Sequence, residues 1–93
     1  LAFLNSMAKN IRWTQRFKKD FQSLPEDIKD RLTKQLQLLQ QNPQYPSLNT
    51  KKMKYPGDIW EGRITRSYRF TYQVAKNTYI LRRVGAHDIL KNP

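Results

Sequence analysis

Tyr68-Arg69-Phe70-Thr71-Tyr72-Gln73-Val74 is the stretch on which the fold turns. Its apolar and polar residues alternate without a break, the period of a half-buried strand. Tyr68, Phe70, Tyr72 and Val74 then share the core face, and Arg69 must lie on the other. Upstream, Ile59 to Ile64 reads as a strand, and Arg66-Ser67 turns the chain back. Before it, Tyr55-Pro56-Gly57-Asp58 carries turn chemistry and Met53 falls in a short strand. Downstream, Asn77 marks a turn and Tyr79 to Val84 forms the last strand. The second half of the chain is therefore a run of successive antiparallel strands.

The first half has a different period. Ile11 and Trp13 alternate with Arg12 and Thr14 as a short strand over residues 10–14. Thr14 can cap a helix carrying Phe17, Phe21 and Leu24 at i, i+4 and i+7. A Ser-Leu-Pro step ends it. Pro25 opens a second helix with Glu26 and Asp27 at its positive end and the stripe Ile28, Leu32, Leu36 and Leu39. Asn42-Pro43 stops that helix, and residues 43–50 form a loop. The expected fold class is α+β: an N-terminal strand, an antiparallel helical hairpin, then a three- to four-stranded antiparallel sheet. The helices cover one face of the sheet, leaving the opposite face for function. Residues 1–6 read as a cloning remnant or a disordered upstream extension, and residues 7–93 as a single domain.

Composition narrows what such a domain does. The chain has 93 residues, 18 Lys and Arg against 7 Asp and Glu, and a formal charge of +11. A single domain of this length has a radius of gyration on the order of 12 Å and no room for a second lobe. With 38% hydrophobic and 12% aromatic residues it can build a modest core. The absence of cysteine excludes disulfides, thiolate zinc sites and cysteine nucleophiles, and fits a reducing, cytoplasmic setting. No apolar run approaches the roughly 20 residues that cross a bilayer, so no membrane role is expected. The charge favours a polyanionic partner, and more of it lies in residues 51–93.

No glycine-rich phosphate loop and no metal-spaced histidine pair is present, so neither a metal nor another cofactor is expected. What remains is a basic cluster with one carboxylate and one histidine: Lys51, Lys52, Lys54, Glu61, Arg63, Arg69, Arg82, Arg83 and His87. That inventory suits a phosphodiester, whose nonbridging oxygens two arginines can brace while a general acid and base move protons. Counting by twos puts Glu61 and Arg63 on one face, with Arg69 outward on the neighbouring strand. Arg82 and Arg83 straddle the two faces. Trp60, Phe70 and Tyr72 read as core.

Trp60-Glu61-Gly62-Arg63-Ile64, the 68–74 strand, and Arg83-Val84-Gly85-Ala86-His87-Asp88, in this order and spacing, resemble the RelE/ParE toxin superfamily. The resemblance spans residues 11–90. It implies a toxin of a type II toxin-antitoxin system, neutralised by an acidic antitoxin in a hetero-oligomer. In the RelE-like branch it implies an endoribonuclease that cleaves mRNA in the ribosomal A site, near 16S rRNA, without a metal. On that resemblance Arg63 and Arg69 stabilise the phosphorane, and Lys51, Lys52, Lys54, Arg82 and Arg83 hold RNA. His87 matches a basic position and is the expected general acid, an imidazole having an ordinary pKa of about 6.5.

Two departures from the family pattern leave alternatives open. Glu61 stands where one ribonuclease branch has lysine; it serves either as general base or as an ion-pair partner of Arg63 or Arg69. The tyrosine that some branches place near the C-terminus is missing, and Tyr55 or Tyr79 is left to replace it. The rival readings are a ParE-like toxin that poisons DNA gyrase and a basic RNA-binding module without catalysis.

Overall fold

The computed structural model describes residues 9–93, so the expectation for residues 1–6 lies outside the described residues. Five strands form one sheet: β1 (Asn10–Trp13), β2 (Lys51–Lys52), β3 (Ile59–Arg63), β4 (Tyr68–Ala75) and β5 (Thr78–Ala86), in the order β1-β5-β4-β3-β2. Two helices, α1 (Gln15–Gln22) and α2 (Glu26–Gln41), lie between β1 and β2 in the chain. The α+β class stands, with a Cα radius of gyration of 12.6 Å. The expected three- to four-stranded antiparallel sheet becomes five-stranded and mixed, because β1 adds to the β5 edge in parallel, Asn10 facing Thr78 and Trp13 facing Leu81. That pairing joins residues far apart in the chain, and no local pattern reports it.

Thr14 ends β1 and starts α1. Its hydroxyl donates to the Leu81 carbonyl at 2.7 Å and accepts the Phe17 amide at 3.2 Å, so one side chain caps the helix and ties it to β5. Trp13 meets Phe17 and Phe21 edge-on at 4.8 and 5.0 Å between ring centroids. Pro25 stands at the N-cap of α2, one position before the first helical residue. The stripe Ile28, Leu32, Leu36 and Leu39 is buried as its spacing requires. It packs over Phe70, Tyr72, Tyr79, Leu81 and Val84 of the sheet. Gly62 belongs to this face, where any side chain would collide with the Phe70 ring.

The turns follow their residues. Gly57, at φ 90°, supplies the left-handed position after Pro56, and Asn77, at φ 60°, closes the β4–β5 hairpin. The short second strand is Lys51–Lys52 instead of the expected segment around Met53. Met53 still donates its amide to the Ile59 carbonyl at 2.9 Å.

The face opposite the helices is only partly open. After β5 the chain makes a 3-10 turn, His87–Lys91, which returns over the outer face and buries Ile89 against Gly85. The Thr71 hydroxyl on β4 then donates to the Pro93 carbonyl at 3.1 Å. The register of β4 and β5 slips between Thr71 and Tyr72: Thr71 faces Arg83 and Tyr72 faces Leu81, leaving Arg82 unmatched. This bulge corrects the expectation that Arg82 and Arg83 straddle the sheet. Both reach the returning segment, Arg82 through Nε to the Pro93 carbonyl at 3.0 Å and Arg83 through Nη1 to the Asn92 carbonyl at 3.1 Å.

Candidate functional site

The antiparallel register of β3 and β4 sets Arg63 directly across from Arg69. Directly opposed residues on one sheet face have Cβ atoms roughly 5 Å apart, and like charges there repel. No carboxylate of the described residues forms an ion pair with either arginine. Arg69 is 9% exposed, and its Nη1 donates to the carbonyls of Thr65, Arg66 and Tyr68 at 2.5, 2.8 and 3.2 Å. It thereby clamps the β3–β4 turn. Arg63 is half-buried, and its Nε is shut away from solvent with no hydrogen-bond partner among the described residues. A buried N–H without an acceptor costs about 1–3 kcal/mol.

Glu61 lies two residues before Arg63, on the same face, across from Thr71 and Lys51. Among the described residues it makes neither an ion pair nor a side-chain hydrogen bond. His87 is exposed, one residue past the last rung of the β4–β5 ladder, where Tyr68 faces Ala86. Arg69 faces Gly85 in the rung before, so the histidine emerges at the Arg63–Arg69 end of the sheet. The topology thus places Arg63, Arg69 and, in the turn after β5, His87 at one end of the sheet, with Glu61 two residues back along β3 on the face of Arg63.

The lysines divide. Lys51, across from Glu61, shares the outer face; Lys52, across from Trp60, belongs to the other. Lys52 pairs there with Asp58 at 3.4 Å, and the Trp60 indole donates to the same carboxylate at 3.2 Å. Lys54 is exposed in the bend before Tyr55. Arg83 is held by Asp20 of α1, Nε to Oδ2 at 2.7 Å, and that oxygen also accepts the Val84 amide at 3.2 Å. Beyond Trp13 the edge of β5 has no neighbouring strand, and the Asp20 carboxylate takes a strand's place there. Tyr79 is buried, edge-on to Tyr72 at 5.4 Å, so only Tyr55 of the two tyrosines has an accessible ring.

Gln35 was missed from the sequence. It is buried on α2, and its Nε2 donates to the carbonyls of Arg63 at 2.7 Å and Ser47 at 3.1 Å. A lone polar residue beside Leu36 and within the apolar stripe was the available signal.

A family profile described as the ParE toxin of type II toxin-antitoxin systems (parDE) matches residues 11–90. The chain belongs to this family, within the RelE/ParE toxin superfamily. It is accordingly a toxin of the type II toxin-antitoxin class. A comparison with curated protein sequences gives no match. Among solved structures, the Escherichia coli DinJ–YafQ toxin-antitoxin complex superimposes with a TM-score of 0.75 at 15% identity, over 89% of this chain and 97% of that one. The RelB–RelE antitoxin-toxin complex of Methanococcus jannaschii gives 0.70 at 24% identity, over 87% and 95%. The isolated E. coli RelE toxin gives 0.70 at 23%, over 85% and 84%. At these identities the likeness is one of fold. No helix among the described residues is long and apolar enough to cross a membrane.

Proposed function

We propose that this toxin is an endoribonuclease whose site is the outer sheet face at Arg63 and Arg69. The observation that carries the reading is Arg63 directly across from Arg69 in the β3–β4 register, with no carboxylate of the described residues paired to either. A phosphodiester can meet the half-buried Arg63 guanidinium through its Nη groups, and the charge that builds on its nonbridging oxygens during transfer strengthens the contact.

In the proposed reaction the ribose 2′-OH attacks the adjacent phosphorus, and the bond to the 5′-oxygen of the next nucleotide breaks. Glu61, unpaired on the same face, takes the 2′-OH proton; His87, exposed at the same end, gives a proton to the departing oxygen. The products are a 2′,3′-cyclic phosphate and a 5′-hydroxyl. Lys51 extends the positive face along the RNA, and Lys54, Arg82 and Arg83 add to its field; Lys52, expected to hold RNA, lies on the opposite face paired with Asp58 and takes no part. Messenger RNA in the ribosomal A site, bordered by 16S rRNA, is the proposed substrate, in the cytoplasm. An acidic antitoxin in a toxin-antitoxin hetero-oligomer is the proposed inhibitor, a charge complement to a +11 chain.

A second reading, a ParE-like gyrase poison, is favoured by the ParE description of the matching family profile. A cell-free translation reaction with a defined mRNA separates the two. Cleavage within the reading frame, lost with Glu61→Gln or His87→Ala, supports the ribonuclease. Intact mRNA together with trapped gyrase–DNA complexes supports the poison.

A further inference from the structure

A basic cleft of about 420 Å³ has walls that include Arg16, Tyr55, Arg82 and Arg83. Three guanidiniums meet there, and the carboxylate that reaches any of them is Asp20, which is mostly buried and shared between Arg83 at 2.7 Å and Arg16 at 3.5 Å. The Arg16 side chain remains 61% exposed. Tyr55 is 42% exposed and lines the cleft with the arginines. Accessible aromatic faces set among arginines are how proteins hold single-stranded nucleotides: the base stacks on the ring and the backbone lies along the positive charge. The volume lies in the range of small-ligand sites.

We infer that this cleft is a nucleotide subsite, in which a base stacks on Tyr55 while its phosphate meets Arg16 and Arg82. The inference rests on the RNA-binding reading of the neighbouring face and extends it by naming where a flanking nucleotide goes. Arg69 and Thr71 are two residues apart on β4, about 7 Å, and Thr71 faces Arg83 at the edge of the cleft. A strand reaching both places is therefore only a few nucleotides long.

The test is a nuclear magnetic resonance titration of the full chain with a 2′-O-methyl pentanucleotide, which has no attacking hydroxyl. Ring-proton shifts at Tyr55 and Nε–H shifts at Arg16 and Arg82 are expected, moving with the same dissociation constant as Arg63. Since a stacked base contributes a factor on the order of ten or more, Tyr55→Leu is expected to weaken binding by about tenfold, with Tyr55→Phe within about twofold of the parent. Shifts at Arg63 and Arg69 with Tyr55 and Arg16 unmoved would overturn the subsite and leave the RNA reading standing. No shift at any of these residues would overturn both.

Discussion

The side-chain amide of Gln35 donates to the carbonyl oxygen of Arg63 at 2.7 Å, joining the long helix to the strand that carries the unpaired guanidinium. The same nitrogen reaches the Ser47 carbonyl, so one buried residue fixes the helix, the following loop and the end of β3. Replacing Gln35 with leucine keeps the bulk and leaves two carbonyls without their donor. The expected loss is about 1–3 kcal/mol, measured by urea denaturation. RNA cleavage by Gln35→Leu should fall further than the unfolded fraction explains, because Arg63 loses its anchor.

Gly62 faces Phe70 across β3 and β4, with the ring lying where a Cβ would be. Gly62→Ala forces the fully buried ring aside, and overpacking of this kind costs about 1–3 kcal/mol. A lower thermal midpoint, with Gly57→Ala as a comparison for pure backbone strain, checks this.

Asp20 stands in for a missing strand at the β5 edge by accepting both Arg83 Nε and the Val84 amide. Asp20→Ala strands both donors, and a destabilisation of about 2 kcal/mol is expected. Asp20→Asn, which keeps an acceptor oxygen, should recover part of it in the same denaturation experiment.

Alkaline stability follows from the buried tyrosines. Burial raises the phenol pKa of Tyr72, and of Tyr79, above the ordinary 10.0. Below pH 10 both the folded and unfolded forms keep the proton, and stability does not respond. Above it the unfolded chain loses the protons first, so stability falls as pH rises, by up to roughly 1.4 kcal/mol per pH unit for each phenol. Tyr72→Phe removes one titrating group and should flatten the decline between pH 10 and 11, read as unfolding free energy against pH.

The elements with a strong period were legible in the sequence. The alternation in Tyr68–Val74, the stripe from Ile28 to Leu39 and the Thr14 cap are local patterns, and each forms as its residues require. The parallel contact of β1 with β5 was not legible, since it depends on how the crossover packs. Nor was the return of Ile89–Pro93 over the outer face, which rests on the space above Gly85 and on the Thr71 and Arg82 donors. The arginine pair could be placed by counting along two strands. Separating Lys51 from Lys52 needed the register of a two-residue strand, and the bulge at Arg82 needed the slip beside Thr71.

The most direct measurement is a map of mRNA 5′ ends in cells induced for the full chain, beside His87→Ala and Arg63→Ala. Breaks at defined positions within reading frames, leaving 5′-hydroxyls and absent from both variants, are expected. Arrested growth with intact mRNA would contradict the ribonuclease reading and move the target to gyrase.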